Sequence, residues 1–190
     1  MNISSILINH MTEPIGFQLD DLRIDFVVAA DQFIQLTKQL TIWTDHPDQP
    51  VYQTEKLPFD TNYFEVPLVL SPRTRYQVKV TLEDQNQNQV TGTTFFETGK
   101  MNEVFEADWI AHSDKTIQNT LFKKEITLDT KVKQARLYIT GLGVYETYID
   151  GEKVGDEYLT PGVTAYDQWL QVQTYDAVSY THLRAHETRS

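Results

Sequence analysis

The sequence contains no cysteine, so disulfide bonds and thiolate chemistry are excluded for every part of the chain. The first ten residues, MNISSILINH, lack the basic start and the long apolar stretch that define a secretory signal peptide. Both absences favour a reducing compartment, and the sequence therefore predicts a cytoplasmic location.

Basic residues are few relative to acidic ones. The 16 lysines and arginines stand against 27 aspartates and glutamates, which gives a formal net charge of −11 at pH 7. Proteins that bind nucleic acid cluster lysine and arginine against the phosphates, so this balance argues against nucleic acid as a partner. Apolar runs are far shorter than the ~20 residues of a membrane-spanning helix, and no membrane association is predicted.

Long amphipathic helices are also missing from the pattern, and alternation of apolar and polar residues dominates instead. Tyr76, Val78, Val80 and Leu82 fall on one face of residues 75–84, which is the period of a half-buried strand. Further strands are predicted at residues 22–29, 38–44, 51–57, 62–70, 90–98, 120–128, 133–142, 144–151, 152–159 and 169–176. Short strands separated by Pro, Asp and Asn turns are typical of antiparallel β-sandwiches.

The strand pattern is interrupted near residue 100, and the chain is predicted to be all-β with two antiparallel β-sandwich domains. Residues 1–100 are predicted to form a fibronectin type III or immunoglobulin-like sandwich, and residues 101–177 the first part of a jelly-roll-like sandwich. Residues 178–190 contain helix formers without a cap or an apolar period, and they resemble the translation of a common sequencing adapter. We therefore expect a non-native tail there and a second sandwich truncated near Asp176.

One short pattern in the first domain resembles a known structural device. Leu70, Pro72, Thr74 and Tyr76 are similar to the residues that precede strand F in fibronectin type III domains. In those domains the tyrosine hydroxyl forms a hydrogen bond to nearby backbone, the tyrosine corner. The resemblance implies a tyrosine corner at Tyr76.

Four blocks further along resemble the N-terminal β-sandwich region of bacterial α-L-rhamnosidases. They are ADWIAH (107–112), LFKKEITL (121–128), the long block at 135–167 and VQTYD (172–176). With the first domain included, the resemblance covers roughly residues 15 to 177 and preserves the order of the two domains. The chain is thus expected to come from the N-terminal accessory region of such an enzyme.

The resemblance also implies a function for the parent protein. Members of the family are inverting glycosidases that remove terminal α-L-rhamnose from glycosides, and their catalytic carboxylates lie on a later (α/α)₆ barrel. Nothing in these 190 residues resembles that barrel. The chain is therefore expected to lack catalytic residues and to aid substrate recognition or pack on the absent barrel. The alternatives are a stand-alone carbohydrate-binding module and a purely structural interaction module.

A dense acidic block follows residue 149. Asp150 and Gly151 lie between β-formers, which predicts a tight hairpin because glycine accepts a positive φ without steric cost. Turns select acidic residues by themselves. Asp150, Glu152, Asp156 and Glu157 are therefore interpreted as turn and solvated residues rather than as a catalytic set.

Three residues remain as candidates for contact with a sugar: Glu146, Tyr148 and Trp169. Glu146 shares a strand face with Tyr148, so the carboxylate can accept hydrogen bonds from hydroxyls while a ring stacks on the sugar. Two structural interpretations compete with this one. Glu146 can anchor a neighbouring loop, or it can form an ion pair with Arg136 in the adjacent strand.

The other tryptophans and the histidines are given structural interpretations. Trp43 alternates with Ile42 and is predicted to lie in the sandwich core, and Trp109 is predicted to pack at the domain junction. His182 and His186 have the spacing of a zinc site on a helix but lack the intervening glutamate of a zincin. No metal site and no cofactor are predicted.

Overall fold

The computed structural model describes residues 1–29, 36–44, 49–117, 119–127, 132 and 134–178. The chain divides into two compact units, Met1–Glu103 (unit 1) and Val104–Ser190 (unit 2). The boundary predicted from the sequence lies close to residue 100. Residues 179–190 of the predicted tail, with His182 and His186, lie outside the described residues.

Unit 1 is a sandwich of two β-sheets. Its described strands are β1 (Asn2–Ile8), β2 (Ile15–Phe17), β3 (Leu22–Ala29), β4 (Leu36–Trp43), β5 (Tyr52–Gln53), β6 (Leu57–Pro58), β7 (Tyr63–Val66), β8 (Arg75–Asp84) and β9 (Gln89–Thr98). One sheet has the order β1-β3-β7, and the other has the order β2-β9-β8-β4-β5, with β6 also paired to β4. Neighbours are antiparallel except β2 and β9. The predicted all-β fold class is confirmed.

Alternating side chains of the two sheets form the core of unit 1. Val78, Val80 and Leu82 of β8 are no more than 1% exposed, as the sequence period predicts. The buried cluster contains Ile6, Ile8, Leu19, Leu22, Ile24, Phe26, Leu40, Ile42, Phe64, Val66, Tyr76, Val78, Val80, Leu82 and Phe96. Burial of each large aliphatic or phenylalanine side chain stabilises the fold by about 1.5–3 kcal/mol.

Two strands of unit 1 escaped the sequence analysis. In β1 the register shifts between Ile3 and Ser5, which interrupts the alternation, although Ile6 and Ile8 are buried. β2 is three residues long, too short for a periodic pattern to show. The two strands are stabilised by their neighbours in the sheets rather than by a clear pattern of their own.

Tyr76 forms the predicted tyrosine corner. The backbone N–H of Ser71 donates to the Tyr76 hydroxyl at 2.8 Å. The Tyr76 ring is 3% exposed and stacks on Phe96 with 4.9 Å between ring centroids. Thr98 completes the corner, since its hydroxyl donates to the Ser71 carbonyl at 2.7 Å and accepts from the N–H of Thr74 at 3.0 Å. The corner therefore ties the loop before β8 to both β8 and β9.

Lys38 occupies a core-facing position of β4 and is nevertheless fully paired. Its side chain is 5% exposed, and its ammonium donates to the carbonyls of Thr61 and Tyr63 at 2.9 and 3.1 Å. Asp60 lies 3.1 Å from the same nitrogen, and this hydrogen bond holds the pKa of the Asp60 carboxyl below its usual value. The buried charge thereby anchors the loop before β7 to β4.

Trp43 lies on the opposite side of β4 from the core, so its predicted place in the core is wrong. Leu40 and Ile42 are fully buried, and Trp43, one residue further along the strand, points to the outer face. There the ammonium of Lys79 lies 5.3 Å from the centre of its ring. Adjacent residues of a strand face opposite sides, so Ile42 lies in the core and Trp43 does not.

Unit 2 has short strands and little buried apolar surface. Its described strands are β10 (Arg136–Ile139), β11 (Tyr148–Ile149), β12 (Glu152–Lys153) and β13 (Gln173–Asp176), paired as β10-β13 and β11-β12. Among its described residues, the buried hydrophobic side chains are Val154 and Tyr175. No helix in the described part of either unit is long and apolar enough to cross a membrane.

The strand predicted at residues 120–128 is wrong for the residues that the structure describes, 120–127. They form no strand, and Leu121 and Ile126 are 90% and 72% exposed. The alternation of LFKKEITL fits a half-buried strand. A segment with β propensity forms a strand only where a neighbouring strand pairs with it and an apolar layer packs on one face. Among the described residues, no strand pairs with residues 120–127.

We expect Tyr76→Phe to destabilise unit 1 by about 0.5–1.5 kcal/mol, because the N–H of Ser71 loses its hydrogen-bond acceptor. Urea denaturation followed by circular dichroism measures the change. Tyr52→Phe is the matched control, since it removes a hydroxyl that has no hydrogen bond among the described residues. Equal stability of the two variants would contradict a structural role for the corner.

We expect residues 1–103 to fold alone without binding a hydrophobic dye and the complete chain to bind it. Unit 1 has a continuous core, whereas unit 2 exposes Val104, Leu121 and Val163 by 84–90%. Fluorescence of an anilinonaphthalene dye measures the difference, with the 1–103 chain as the control. A complete chain that enhances no dye fluorescence and unfolds in one transition would contradict this expectation.

Candidate functional site

A two-residue turn organises the β11–β12 hairpin of unit 2. Tyr148 pairs with Lys153 and Ile149 with Glu152, and the turn between them is Asp150-Gly151. Asp150 has φ of 52° and Gly151 has φ of 88°. Positive φ at both central positions is the type I′ geometry that matches the twist of a hairpin. The predicted hairpin is confirmed.

The hairpin register brings three polar side chains onto one face. Lys153 lies directly opposite Tyr148, and Glu146 precedes Tyr148 by two residues. The Tyr148 hydroxyl donates to Oε2 of Glu146 at 2.8 Å, and the Lys153 ammonium lies 3.2 Å from Oε1. Both oxygens of the Glu146 carboxylate are therefore held by neighbours.

Tyr158 completes the arrangement, and we call Glu146, Tyr148, Lys153 and Tyr158 the Glu146 cluster. The Lys153 ammonium lies 3.9 Å from the centre of the Tyr158 ring, within range of a cation–π interaction. Tyr158 is 79% exposed and Tyr148 is 54% exposed. The cluster thus presents two aromatic rings to solvent around an ion pair.

The charges of the cluster reinforce one another. The hydrogen bond from Tyr148, followed by that from Lys153, holds the pKa of the Glu146 carboxyl below its usual value. The same carboxylate raises the pKa of the Tyr148 hydroxyl. Partial burial opposes the charge of Lys153, but the hydrogen bond and negative charge of Glu146 outweigh it and raise the pKa of the ammonium. At neutral pH the ion pair is fully charged.

The lowered pKa of Glu146 does not suit a general acid. A carboxyl that protonates a leaving group near neutral pH needs a raised pKa, and the pKa of Glu146 is lowered. The charged carboxylate retains lone pairs that accept hydrogen bonds from hydroxyl groups, and the ammonium and phenol donate them. The cluster can therefore bind a polyhydroxylated ligand.

Hydrogen bonds hold the backbone around the Glu146 cluster. The N–H of Tyr145 donates to the Thr160 carbonyl at 2.8 Å, and the Thr160 hydroxyl returns a bond to Tyr145 at 3.1 Å. The Tyr145 hydroxyl donates to Oε1 of Gln173 at 3.0 Å, and burial raises its pKa. The N–H of Val154, a buried residue, donates to the Thr147 carbonyl at 2.8 Å. These bonds hold the backbone that carries Glu146 and Lys153.

Several predicted residues do not join the cluster. The proposed pair between Glu146 and Arg136 is wrong, because Arg136 forms its ion pair with Asp176 at 2.9 Å across β10 and β13. Trp169 is 58% exposed, and its backbone carbonyl accepts a hydrogen bond from Thr164 at 2.9 Å. Trp109 is 63% exposed. Sugar contact by Glu146, Tyr148 and Trp169 stays a prediction.

Lys153 and Tyr158 are the members of the cluster that the sequence analysis missed. The position of Lys153 opposite Tyr148 follows from a two-residue turn at Asp150-Gly151, so this partner was accessible from the hairpin alone. Tyr158 lies outside the hairpin, and nothing in its local pattern indicates that it packs against Lys153. Among the described residues, no group of acidic or histidine side chains is placed to hold a metal ion.

Comparison with known proteins matches two separate parts of the chain to family models. Residues 3–102 match the family described as Rha78A-like, N-terminal immunoglobulin domain, and residues 130–185 match the Alpha-L-rhamnosidase N-terminal domain. An α-L-rhamnosidase of Formosa agariphila is 32% identical over 127 residues, which cover 60% of this chain and 14% of the relative. The chain therefore spans only a small part of the length of that relative.

Two solved structures share the fold. The α-L-rhamnosidase from Dictyoglumus thermophilum superposes with a TM-score of 0.80 at 24% identity, over 95% of this chain and 24% of the other. The Streptomyces avermitilis α-L-rhamnosidase complexed with L-rhamnose superposes with a TM-score of 0.52 at 18% identity, over 94% of this chain and 20% of the other. Since the Rha78A-like model matches more than half of the chain, the chain belongs to the α-L-rhamnosidase family and corresponds to its N-terminal region.

Proposed function

We propose that this chain is a non-catalytic N-terminal region of a glycoside hydrolase that removes terminal α-L-rhamnose, and that the Glu146 cluster aids recognition of the substrate. The observation that carries the proposal is the cluster itself, in which a charged carboxylate and an ammonium lie between two exposed tyrosine rings. Exposed rings beside convergent polar groups suit a sugar, which has apolar ring faces and hydroxyl edges.

The absence of catalysis in this region is supported by the chemistry of hydrolysis with inversion. That reaction needs a carboxylic acid with a raised pKa and a second carboxylate about 6.5–9.5 Å away across the sugar. Glu146 has a lowered pKa, and both of its oxygens are already held by Tyr148 and Lys153. The catalytic pair of the parent enzyme is therefore assigned to a later domain.

The exposed apolar side chains of unit 2 support a second part of the proposal, packing against that later domain. Ile110, Leu142, Val144 and Leu159 are each more than 60% exposed, far more than the side chains of the unit 1 core. Apolar surface of this kind is typical of faces covered by another domain. A purely structural interaction module is the outcome if the sugar does not bind.

We expect L-rhamnose and rhamnosyl glycosides to bind the chain at millimolar concentration. Intrinsic tryptophan fluorescence and one-dimensional ¹H NMR of the tyrosine ring signals follow the titration. Glu146→Gln removes the ion pair with Lys153 and weakens binding about fivefold, whereas Glu106→Gln, an exposed carboxylate of the same unit, leaves it unchanged. The absence of any signal change at millimolar sugar would reject recognition by this chain and leave the structural role.

Binding of the sugar is also expected to depend on pH in a defined direction. Glu146 forms its ion pair with Lys153 and accepts at full strength through both oxygens only when charged, and its pKa lies below the ordinary value of 4.5. Affinity is therefore constant from pH 7 down to about pH 5 and falls only as the carboxylate becomes protonated at lower pH. The same titrations repeated across this range measure the effect. Loss of affinity between pH 7 and pH 5 would contradict an acceptor role for Glu146.

A further inference from the structure

Unit 1 has a row of large side chains on the outer face of its larger sheet. Trp43 of β4 pairs in register with Gln77 of β8, which in turn pairs with Phe95 of β9. All three alternate with core residues, so they point away from the core. Neighbouring strands lie about 4.8 Å apart, so the backbones that carry the two rings are about 10 Å apart. We call Trp43, Gln77, Phe95 and the two cations below the outer row.

A cation covers each of the two rings. The guanidinium carbon of Arg75 lies 3.7 Å from the centre of the Phe95 ring, and the ammonium of Lys79 lies 5.3 Å from the centre of the Trp43 ring. Arg75 and Lys79 are four residues apart on the same face of β8, about 13 Å along the strand. Contact with the rings restricts the two side chains.

Neither cation of the outer row has an ion-pair partner among the described residues. Buried Glu97 is opposite Arg75 in register. Several other cations among the described residues are paired, for example Arg23 with Asp25, Lys56 with Glu83 and Arg73 with Glu103. Two cations without an ion-pair partner on one face of an otherwise acidic chain can attract an anion.

The chemistry of the outer row defines the ligand. Arg75 offers a planar fork that fits a carboxylate with two parallel hydrogen bonds, and Lys79 offers a second positive charge. Gln77 is exposed between the rings, and its amide can bond hydroxyl groups. An extended ligand that carries both carboxylates and hydroxyls satisfies all three side chains.

We infer that the outer face of β4, β8 and β9 binds an anionic glycan, a polysaccharide chain that carries carboxylate groups. This surface is in unit 1, whereas the Glu146 cluster is in unit 2, so it constitutes a second and chemically different contact with carbohydrate. The choice of a glycan over an acidic polypeptide rests on the proposed function of the parent enzyme. The outer row holds a charged chain, while the Glu146 cluster contacts neutral sugar.

The test is a calorimetric titration of the complete chain with a hexamer of galacturonic acid at about 20 mM salt. Arg75→Gln and Lys79→Gln each weaken binding about fivefold, and the double variant weakens it about 25-fold. Raising the salt to about 200 mM also weakens binding, because the charges are exposed and screened. Lys123→Gln is the matched control, since it removes the same charge from unit 2 and leaves binding unchanged. Circular dichroism of each variant verifies that unit 1 is folded.

Three results would overturn the inference. They are equal binding of the fully methyl-esterified hexamer, equal binding of hexaglutamate, and unchanged affinity of the double variant. Glu146→Gln separates this site from the proposed function, because it must leave binding of the galacturonate hexamer unchanged. Conversely, the double variant at Arg75 and Lys79 must leave binding of L-rhamnose unchanged. Failure of one site is thereby distinguished from failure of the other.

Discussion

The central position of β8 is the constraint on which the architecture of unit 1 depends. β8 pairs with β4 on one side over eight residues and with β9 on the other over nine. Its alternation directs Val78, Val80 and Leu82 into the core and Gln77 and Lys79 to the outer face. A shift of its register by one residue would exchange the two sets and remove the core. The same strand carries Tyr76 at its start.

In unit 2 a two-residue turn, rather than an extended core, fixes which residues lie opposite each other. Asp150 and Gly151 adopt the two positive φ values of a type I′ turn, and the turn sets the pairing of Tyr148 with Lys153. That pairing places the ammonium beside the Glu146 carboxylate and leaves the aromatic rings exposed. The acidic residues that first suggest catalysis act differently, since Asp150 forms the turn and Glu146 the ion pair. Unit 2 therefore positions the Glu146 cluster mainly through a turn and hydrogen bonds, since its described buried hydrophobic side chains are Val154 and Tyr175.

The accuracy of the sequence analysis follows the strength of the alternation. β3 and β8 have the predicted bounds, 22–29 and 75–84, because their alternation is strict and neighbouring strands pair with them along their length. β1 was missed because a bulge interrupts its period. Residues 120–127 were predicted as a strand and form none, because alternation creates a capacity for pairing that only a neighbouring strand can satisfy.

The candidate site was accessible from the sequence only in part. Glu146 and Tyr148 were found together because residues two apart on an extended segment share a face. The ion pair of Glu146 was assigned to Arg136 instead of Lys153, because several strands of unit 2 could supply the neighbour and local spacing does not choose among them. The contact of Tyr158 with Lys153 and the position of Trp43 on the outer face of the sheet were missed for the same reason. Both depend on how separate segments pack together.

The sequence by itself determined the strand periods, the Asp-Gly hairpin, the tyrosine corner and the family. The strand periods, the hairpin and the tyrosine pattern are each encoded within about a dozen neighbouring residues, where steric limits on φ and the two-residue period of a strand act locally. The family is indicated by blocks spread over residues 15–177. Only the tertiary structure decided which cation pairs with Glu146, which side of β4 carries Trp43, and that Arg75 and Lys79 lack carboxylate partners among the described residues. Those outcomes depend on strand order and register, because charges and rings that are distant in sequence meet only when strands pair.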